Sequence, residues 1–178
     1  MVASAEQLTM TLEEFLQNPR DRVEWVDGQL IEKKEMNAKT GRIQARLSYY
    51  WRAYFLEHAP GSEVYTETPC RTTGRTRCPD VAYLTPDLVA QHGDFKILPH
   101  SFPLIAEIIS PTDEAEEVFT KVGEYLASQC QEVWLVMPES RVVLVITPDF
   151  QKLYGIDEML STYAVLTGFT VPMRDLMA

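Results

Sequence analysis

The sequence predicts a mixed α/β (α+β) domain in which helices flank a central mixed β-sheet. Two segments, Thr40 to Glu57 and Thr112 to Ser128, carry apolar residues at steps of three and four, which is typical of amphipathic helices. Around them lie short runs that are either alternating or wholly apolar, as in strands. This order of helix, hairpin, helix, strands, helix and strands indicates one domain over residues 1–178.

Two local motifs define the N-terminal elements. Thr11-Leu12-Glu13-Glu14 has the pattern of a capping box, which predicts a short helix that Pro19 ends. The run from Arg22 to Glu35, RVEWVDGQLIEKKE, alternates on both sides of Asp27-Gly28, a dipeptide typical of the type I′ turn. We therefore expect a β-hairpin before the first long helix.

The remaining strands follow that helix, which Pro60-Gly61 ends. Strands are expected at Glu63 to Thr68, Asp80 to Leu84, Phe102 to Ser110, Glu132 to Met137 and Arg141 to Thr147, with shorter candidates near Leu153 and Phe169.

Composition limits the possible classes of protein. The 178 residues are 46% hydrophobic with a formal net charge of -10, and no run reaches the roughly 18 apolar residues of a membrane span. The first residues, MVASAEQLTM, do not have the pattern of a secretion signal, and Cys70, Cys78 and Cys130 form no CxxC pair. We expect a cytoplasmic protein with reduced thiols. The acidic charge argues against nonspecific DNA binding, but bound metal ions can reverse the field locally.

Two acidic residues stand in apolar strands. Asp80 opens the segment CPDVAYL, and Glu107 lies within LIAEIIS, where strand alternation places it on one side with Ile105 and Ile109. A buried, unpaired carboxylate costs several kcal/mol, so Glu107 needs a metal cation, a basic side chain or solvent. For either acid alone, a salt bridge or a solvated strand end explains the residue. If the two acids meet on neighbouring strands, which their spacing alone does not establish, they would form the oxygen cluster that Mg²⁺ prefers.

Basic residues near these acids have two interpretations each. Lys121 lies on the helix after the Glu107 strand and is able to face the acids, or to form an exposed pair with Glu117 four residues earlier. The only local basic cluster, CRTTGRTR, is either a phosphate contact or a solvated loop. Its members are Arg71, Arg75 and Arg77.

The segments RCPDVAYL, LIAEIISPTDEAEEVFTKVGEYL and EVWLVMPESRVVLV together resemble the Uma-type endonuclease family of the restriction-endonuclease-like PD-(D/E)XK superfamily. The shared pattern is a PD dipeptide, a strand ending in E-x-x-S-P, a helix with K-x-x-x-Y and a V-W-L-V strand. VEWVDGQL, from Val23 to Leu30, is similar to the family's opening hairpin, and VLTGF, from Val165 to Phe169, to its closing segment. The resemblance implies a restriction-endonuclease-like fold.

The resemblance also implies a site. Asp80 and Glu107 would bind Mg²⁺ or Mn²⁺, and Lys121 would orient or activate the attacking water. Glu24, a further catalytic candidate, would either complete the metal site or be an exposed strand residue. In the wider superfamily the lysine follows the glutamate by two residues on the same strand, whereas this chain has Ile109 there. Lys121, in the family's own K-x-x-x-Y, is the expected substitute.

These observations predict a Mg²⁺-dependent endonuclease that hydrolyses phosphodiester bonds of nucleic acid with a metal-activated water. DNA is favoured over RNA as substrate, and a homodimer is expected because two-fold assemblies are the commonest soluble oligomers. The alternative is a noncatalytic module that retains the nuclease-like fold to bind a partner.

Overall fold

A six-stranded mixed sheet is the centre of the molecule. The computed structural model describes residues 10–34 and 36–178. In spatial order the sheet contains β10 (Gln151–Tyr154), β9 (Val142–Ile146), β8 (Glu132–Met137), β7 (Leu104–Ile108), β6 (Val81–Leu84) and β3 (Glu63–Thr66). Strands β7 and β8 are parallel, and the other neighbours are antiparallel. The predicted mixed α/β fold is confirmed.

Two smaller sheets extend this framework. The first has the order β2 (Gln29–Glu32), β1 (Val23–Val26), β5 (Thr76–Arg77) and β4 (Cys70–Arg71), and the second pairs β11 (Met159–Ser161) with β12 (Thr170–Pro172). The predicted hairpin is confirmed, because β1 and β2 pair around Asp27 and Gly28 with φ angles of 51° and 87°, as a type I′ turn requires. The two-residue strands β4 and β5 escape sequence prediction because they are too short to show alternation.

Five helices accompany the sheets in the described residues: α1 (Leu12–Gln17), α2 (Ala38–His58), α3 (Pro86–His92), α4 (Ala115–Ala127) and α5 (Met173–Met177). The capping box of α1 is present, since Thr11 Oγ1 accepts from the Glu14 amide and the Thr11 amide donates to Glu14 Oε2. The two long predicted helices correspond to α2 and α4. Among the described residues, no helix combines the length and apolar character needed to cross a bilayer.

A different helix packs against each face of the central sheet. Helix α2 packs on one face, where its apolar stripe meets the inward side chains of β6, β7 and β8; this core contains Leu47, Trp51, Phe55, Leu104, Ala106 and Trp134. Helix α4 covers the opposite face through Val122 and Tyr125, against Ile105 and Leu135. Strand alternation in β7 therefore assigns Ile105 to the α4 face, and Glu107 to the same face.

Glu132 joins the central sheet to the C-terminal segment. This residue is fully buried, and its carboxylate accepts from Trp134 Nε1 at 2.7 Å and from the amides of Tyr163 and Ala164 at 2.8 Å each. Three donors satisfy a carboxylate that has no ion-pair partner among the described residues. Glu132 is therefore a structural acid.

Replacing Glu132 with Ala should lower the free energy of unfolding by about 3 kcal/mol, because buried N–H donors lose their acceptor. Urea unfolding of Glu132→Ala measures the loss. The adjacent exposed residue supplies the control, since Gln131→Ala should change stability by less than about 0.5 kcal/mol. Equal stability of the two variants would contradict the structural role of Glu132.

Candidate active site

Strand register brings the two predicted metal-binding acids together. Val81 pairs with Ala106 and Ala82 with Ile105 in the antiparallel β6–β7 ladder. One further step in the same register sets Asp80 opposite Glu107, with both side chains on the α4 face. Side chains directly opposite each other on antiparallel strands have Cβ atoms roughly 4.5–5.5 Å apart. The fold therefore places two carboxylates side by side at one end of the sheet.

Asp80 is fixed from three directions. Its Oδ2 accepts from the Ile108 amide at 2.7 Å, and its Oδ1 lies 2.6 Å from Lys33 Nζ. Its backbone carbonyl accepts from Gln44 Nε2 on α2 at 2.7 Å. The aspartate after Pro79 thus caps the open end of β7, and both of its carboxylate oxygens already have a donor.

Glu107 is also buried, but its negative charge is balanced much less well than that of Asp80. Its Oε1 accepts from Tyr125 Oη at 2.6 Å, and the residue is 7% exposed. Burial and the neighbouring Asp80 carboxylate raise the pKa of Glu107 to about 7, although Lys121, Lys33 and Tyr125 act in the opposite direction. The positive charges of Lys121 and Lys33 therefore do not offset burial and the Asp80 carboxylate. A divalent cation fits this arrangement.

Lys121 and Tyr125 explain the spacing K-x-x-x-Y. Four residues apart, they lie on the same face of α4, where Tyr125 donates to Glu107 and Lys121 is close enough for Glu107 to raise its pKa. Lys121 Nζ lies 3.0 Å from Glu24 Oε1. Burial lowers the pKa of Lys121, but Glu107 and Glu24 raise it by more, so the side chain is an ammonium at neutral pH. The alternative interpretation, an exposed pair with Glu117, is wrong for the described structure, because the ion pair is with Glu24.

Glu24 connects Lys121 to a buried ion-pair network. The residue is 2% exposed, and its carboxylate binds Arg77 Nη1 at 2.8 Å as well as Lys121 and the Cys78 amide. Burial alone would raise the pKa of Glu24, but Lys121 and Arg77 lower it below its usual range. Glu24 therefore remains ionised and holds the Lys121 ammonium.

The basic cluster of the β4–β5 region is largely internal. Arg77 lies between Glu24 and Glu124, and Arg75 pairs with Glu124 and Asp27. Arg77 has a 3% exposed side chain. Arg75 and Arg77 thus neutralise acids of the protein. Two of the three arginines in the cluster are therefore not available to contact a phosphate.

Lys33 is the site residue that sequence reasoning missed. Its Nζ donates to Asp80 Oδ1 and to the Cys78 carbonyl at 2.7 Å, and it lies 3.1 Å from Glu67 Oε2. In the sequence, Lys33 belongs to the polar string EKKE at the end of a hairpin, which indicates a solvated strand end. The available signal was alternation, which puts Lys33 on the same side as Ile31, but its partner Asp80 is 47 residues away in the sequence.

These side chains surround a pocket of about 240 Å³. Four basic and seven acidic residues line it: Arg22, Lys33, Lys34, Lys121, Glu24, Glu32, Glu67, Asp80, Glu107, Asp113 and Glu117. The excess of acid suits a cation better than a bare phosphate. Among the described residues, no three His, Cys, Asp or Glu side chains are arranged as a ligand set. A site with two carboxylates resembles the usual protein share of Mg²⁺ coordination, which water and substrate phosphates complete.

Comparison with known proteins identifies the family. Residues 6–174 match the Uma2 family, described as "putative restriction endonuclease". The chain belongs to the Uma2 family. A similar solved structure is the crystal structure of a "putative nuclease belonging to DUF820" from Anabaena variabilis, with a TM-score of 0.83 and 19% identity over 94% of this chain and 97% of the other. No curated protein matches the chain.

The buried arginine of this Uma2-family chain yields a stability prediction. Arg77→Gln should lower the free energy of unfolding by about 3–5 kcal/mol, because Glu24 and Glu124 lose their common partner. Arg174→Gln is the matched control, since Arg174 forms an exposed pair with Asp157 that should contribute less than about 1 kcal/mol. Urea unfolding compares the two variants. Similar small losses in both would show that the network around Glu24 is not a buried one.

The raised pKa of Glu107 makes the stability of the metal-free Uma2 domain depend on pH. Glu107 has a pKa of about 7 in the folded protein, whereas the ordinary pKa of a glutamate is 4.5. The unfolded chain thus binds fewer protons between these pH values, and stability falls as pH rises through this window.

Glu107→Gln removes the charge and should stabilise the metal-free protein at pH 8 by about 2 kcal/mol, with little effect at pH 4.5. Thermal unfolding in chelator at both pH values measures the difference. The control Glu57→Gln changes an exposed acid on α2 and should have no such pH dependence. A Glu107→Gln protein that is less stable than wild type at pH 8 would contradict the raised pKa.

Proposed function

We propose that this chain is a Mg²⁺- or Mn²⁺-dependent endonuclease that hydrolyses phosphodiester bonds of nucleic acid. The observation that carries the proposal is the pair of buried carboxylates, Asp80 and Glu107, set opposite each other by the β6–β7 register, with Lys121 beside them. The family's description as a restriction endonuclease supports DNA over RNA as the substrate.

In this proposal the protein supplies ligands and positioning. Asp80 and Glu107 would hold one divalent ion, which polarises the scissile phosphate and lowers the pKa of bound water. Tyr125 fixes the orientation of Glu107 by donating to Oε1, and Glu107 lines the pocket.

Lys33 and Lys121 differ in how many of their N–H donors contact the protein, and this difference indicates different roles. An ammonium has three N–H donors. Lys33 donates to two oxygens and forms an ion pair with a third, so its ammonium is directed at the protein. Lys121 has one described partner, Glu24, and its side chain is 23% exposed towards the pocket. Lys121 thus has donors available for the attacking water or for a phosphate oxygen, which supports its proposed catalytic role.

The first test is cleavage of labelled DNA and RNA oligonucleotides in Mg²⁺ or Mn²⁺. Glu107→Gln should lower kcat by at least about 100-fold, because the ion loses a ligand and the developing charge loses its stabilisation. Lys121→Gln should lower kcat by about 100- to 1,000-fold while Mn²⁺ binding persists. The exposed residues Glu57 and Lys96 provide controls, as Glu57→Gln and Lys96→Gln should keep wild-type rates.

Two other outcomes would contradict this function, and a third would show a faulty preparation. Equal activity in wild type and Glu107→Gln would identify a contaminating nuclease. Loss of activity in Glu57→Gln would point to damage during preparation. Binding of oligonucleotide without cleavage or metal binding in any protein would favour the noncatalytic module.

A homodimer is part of the proposal, because cutting both strands of a duplex takes two active sites and two-fold assemblies supply them. Light scattering on purified protein measures the mass, and a 20.3 kDa species would contradict the dimer.

A further inference from the structure

Lys33 lies in a cradle of three oxygen atoms. Its Nζ is 2.6 Å from Asp80 Oδ1, 2.7 Å from the Cys78 carbonyl oxygen and 3.1 Å from Glu67 Oε2. Its side chain is 12% exposed. Two carboxylates and a backbone carbonyl are also the kind of oxygen ligands that hard divalent cations take. The ammonium thus occupies a position that has the chemistry of a cation site.

The cradle is held by the surrounding structure independently of Lys33. Gln44 Nε2 donates to the Asp80 carbonyl at 2.7 Å and lies 3.4 Å from Glu67 Oε1. Glu67 has a left-handed backbone with φ of 51°, and its amide donates to the Asp80 carbonyl at 3.4 Å. A non-glycine residue in this conformation stores strain that surrounding contacts must hold. Contacts from α2 and the end of β3 therefore hold Asp80 and Glu67, two of the three residues that form the cradle.

Asp80 belongs to two adjacent cation positions. On one side its Oδ1 contacts Lys33, and on the other it neighbours Glu107, whose carboxylate has a hydroxyl donor but no ion pair among the described residues. We propose that Lys33 is a built-in cation that fills the position between Asp80 and Glu67, so that the site takes a single divalent ion, between Asp80 and Glu107. This inference rests on the proposed function and specifies its metal stoichiometry.

A site with a single divalent ion acts on a phosphate differently from a two-metal site. In two-metal sites the ions lie about 3.5–4 Å apart and clamp the attacking and leaving oxygens together. Here the Lys33 ammonium makes two hydrogen bonds and one ion pair within the protein, and its side chain is 12% exposed, so it positions Asp80 and does not contact the substrate. The pocket must then achieve its phosphate chemistry with one divalent ion and the Lys121 ammonium.

The test counts ions by a Mn²⁺ titration of the full chain, with free Mn²⁺ measured by electron paramagnetic resonance. Wild type should bind one Mn²⁺ per chain. Lys33→Gln, which empties the cradle of its positive charge, should bind two, a twofold rise. Lys34→Gln is the matched control, because Lys34 lines the same pocket but pairs with Asp113, and it should bind one.

Two ions in wild type, or one in a folded Lys33→Gln, would overturn the single-ion assignment. No ion in wild type would contradict the proposed metal-dependent function, and the assignment with it. Glu107→Gln separates the two cases further, since it should lose the wild-type ion but leave the Lys33 cradle unchanged.

A measurement on wild type avoids any dependence on the folding of Lys33→Gln. Nitrogen-15 spectra of the lysine ammonium groups, with Lys33→Arg used to assign the signal, report whether Lys33 Nζ stays in its cradle. The signal should keep its slow proton exchange when Mg²⁺ saturates the protein. Exchange at the rate of an exposed lysine in saturating Mg²⁺ would show that the ion displaces Lys33, which would overturn the inference.

Discussion

The site depends on the repulsion between two carboxylates that the sheet forces together. Asp80 and Glu107 are 8% and 7% exposed, and the β6–β7 register sets them opposite each other. Two negative charges at this separation in a partly dry site cannot both be stable without nearby positive charge or donors. The surrounding contacts supply part of this compensation: Lys33 and the Ile108 amide on Asp80, and Tyr125 on Glu107. The negative charge that remains uncompensated is that of Glu107.

A second layer of ion pairs keeps the compensating groups in place. Lys121 is held by Glu24, Glu24 is held by Arg77, and Arg77 is held in turn by Glu124 on the same helix as Lys121. The small sheet that carries Glu24 is thus fastened to α4 by charge, and α4 is packed on the central sheet through Val122 and Tyr125. Because each link is buried or half-buried, replacement of one partner leaves an uncompensated charge on the next. The precise placement of Lys121 is therefore a property of the whole network.

Sequence reasoning found the parts of the site that local patterns encode. Alternation in LIAEIIS assigned Glu107 to one face, and the helical pattern placed Lys121 on the next helix, able to face the acids. The structure brings all four predicted residues, Glu24, Asp80, Glu107 and Lys121, to one pocket, and their catalytic roles stay predictions. Lys33 was missed because its polar neighbours are typical of a solvated turn, and only tertiary folding brings it to Asp80. Helices α3 and α5, at seven and five residues, are too short to show a clear periodicity.

The distribution of charge has a further consequence for substrate binding in the proposed function. Arg75, Arg77, Lys33 and Lys121 all form ion pairs with acids of the protein, and the chain carries a formal net charge of -10. The attraction for a phosphate at this pocket must then come largely from the bound divalent ion. A phosphate oxygen that coordinates the ion would in turn strengthen its binding, because two ligands that stabilise each other do so by the same factor. An acidic domain of this kind would thus bind substrate and metal together, with weak affinity for either alone.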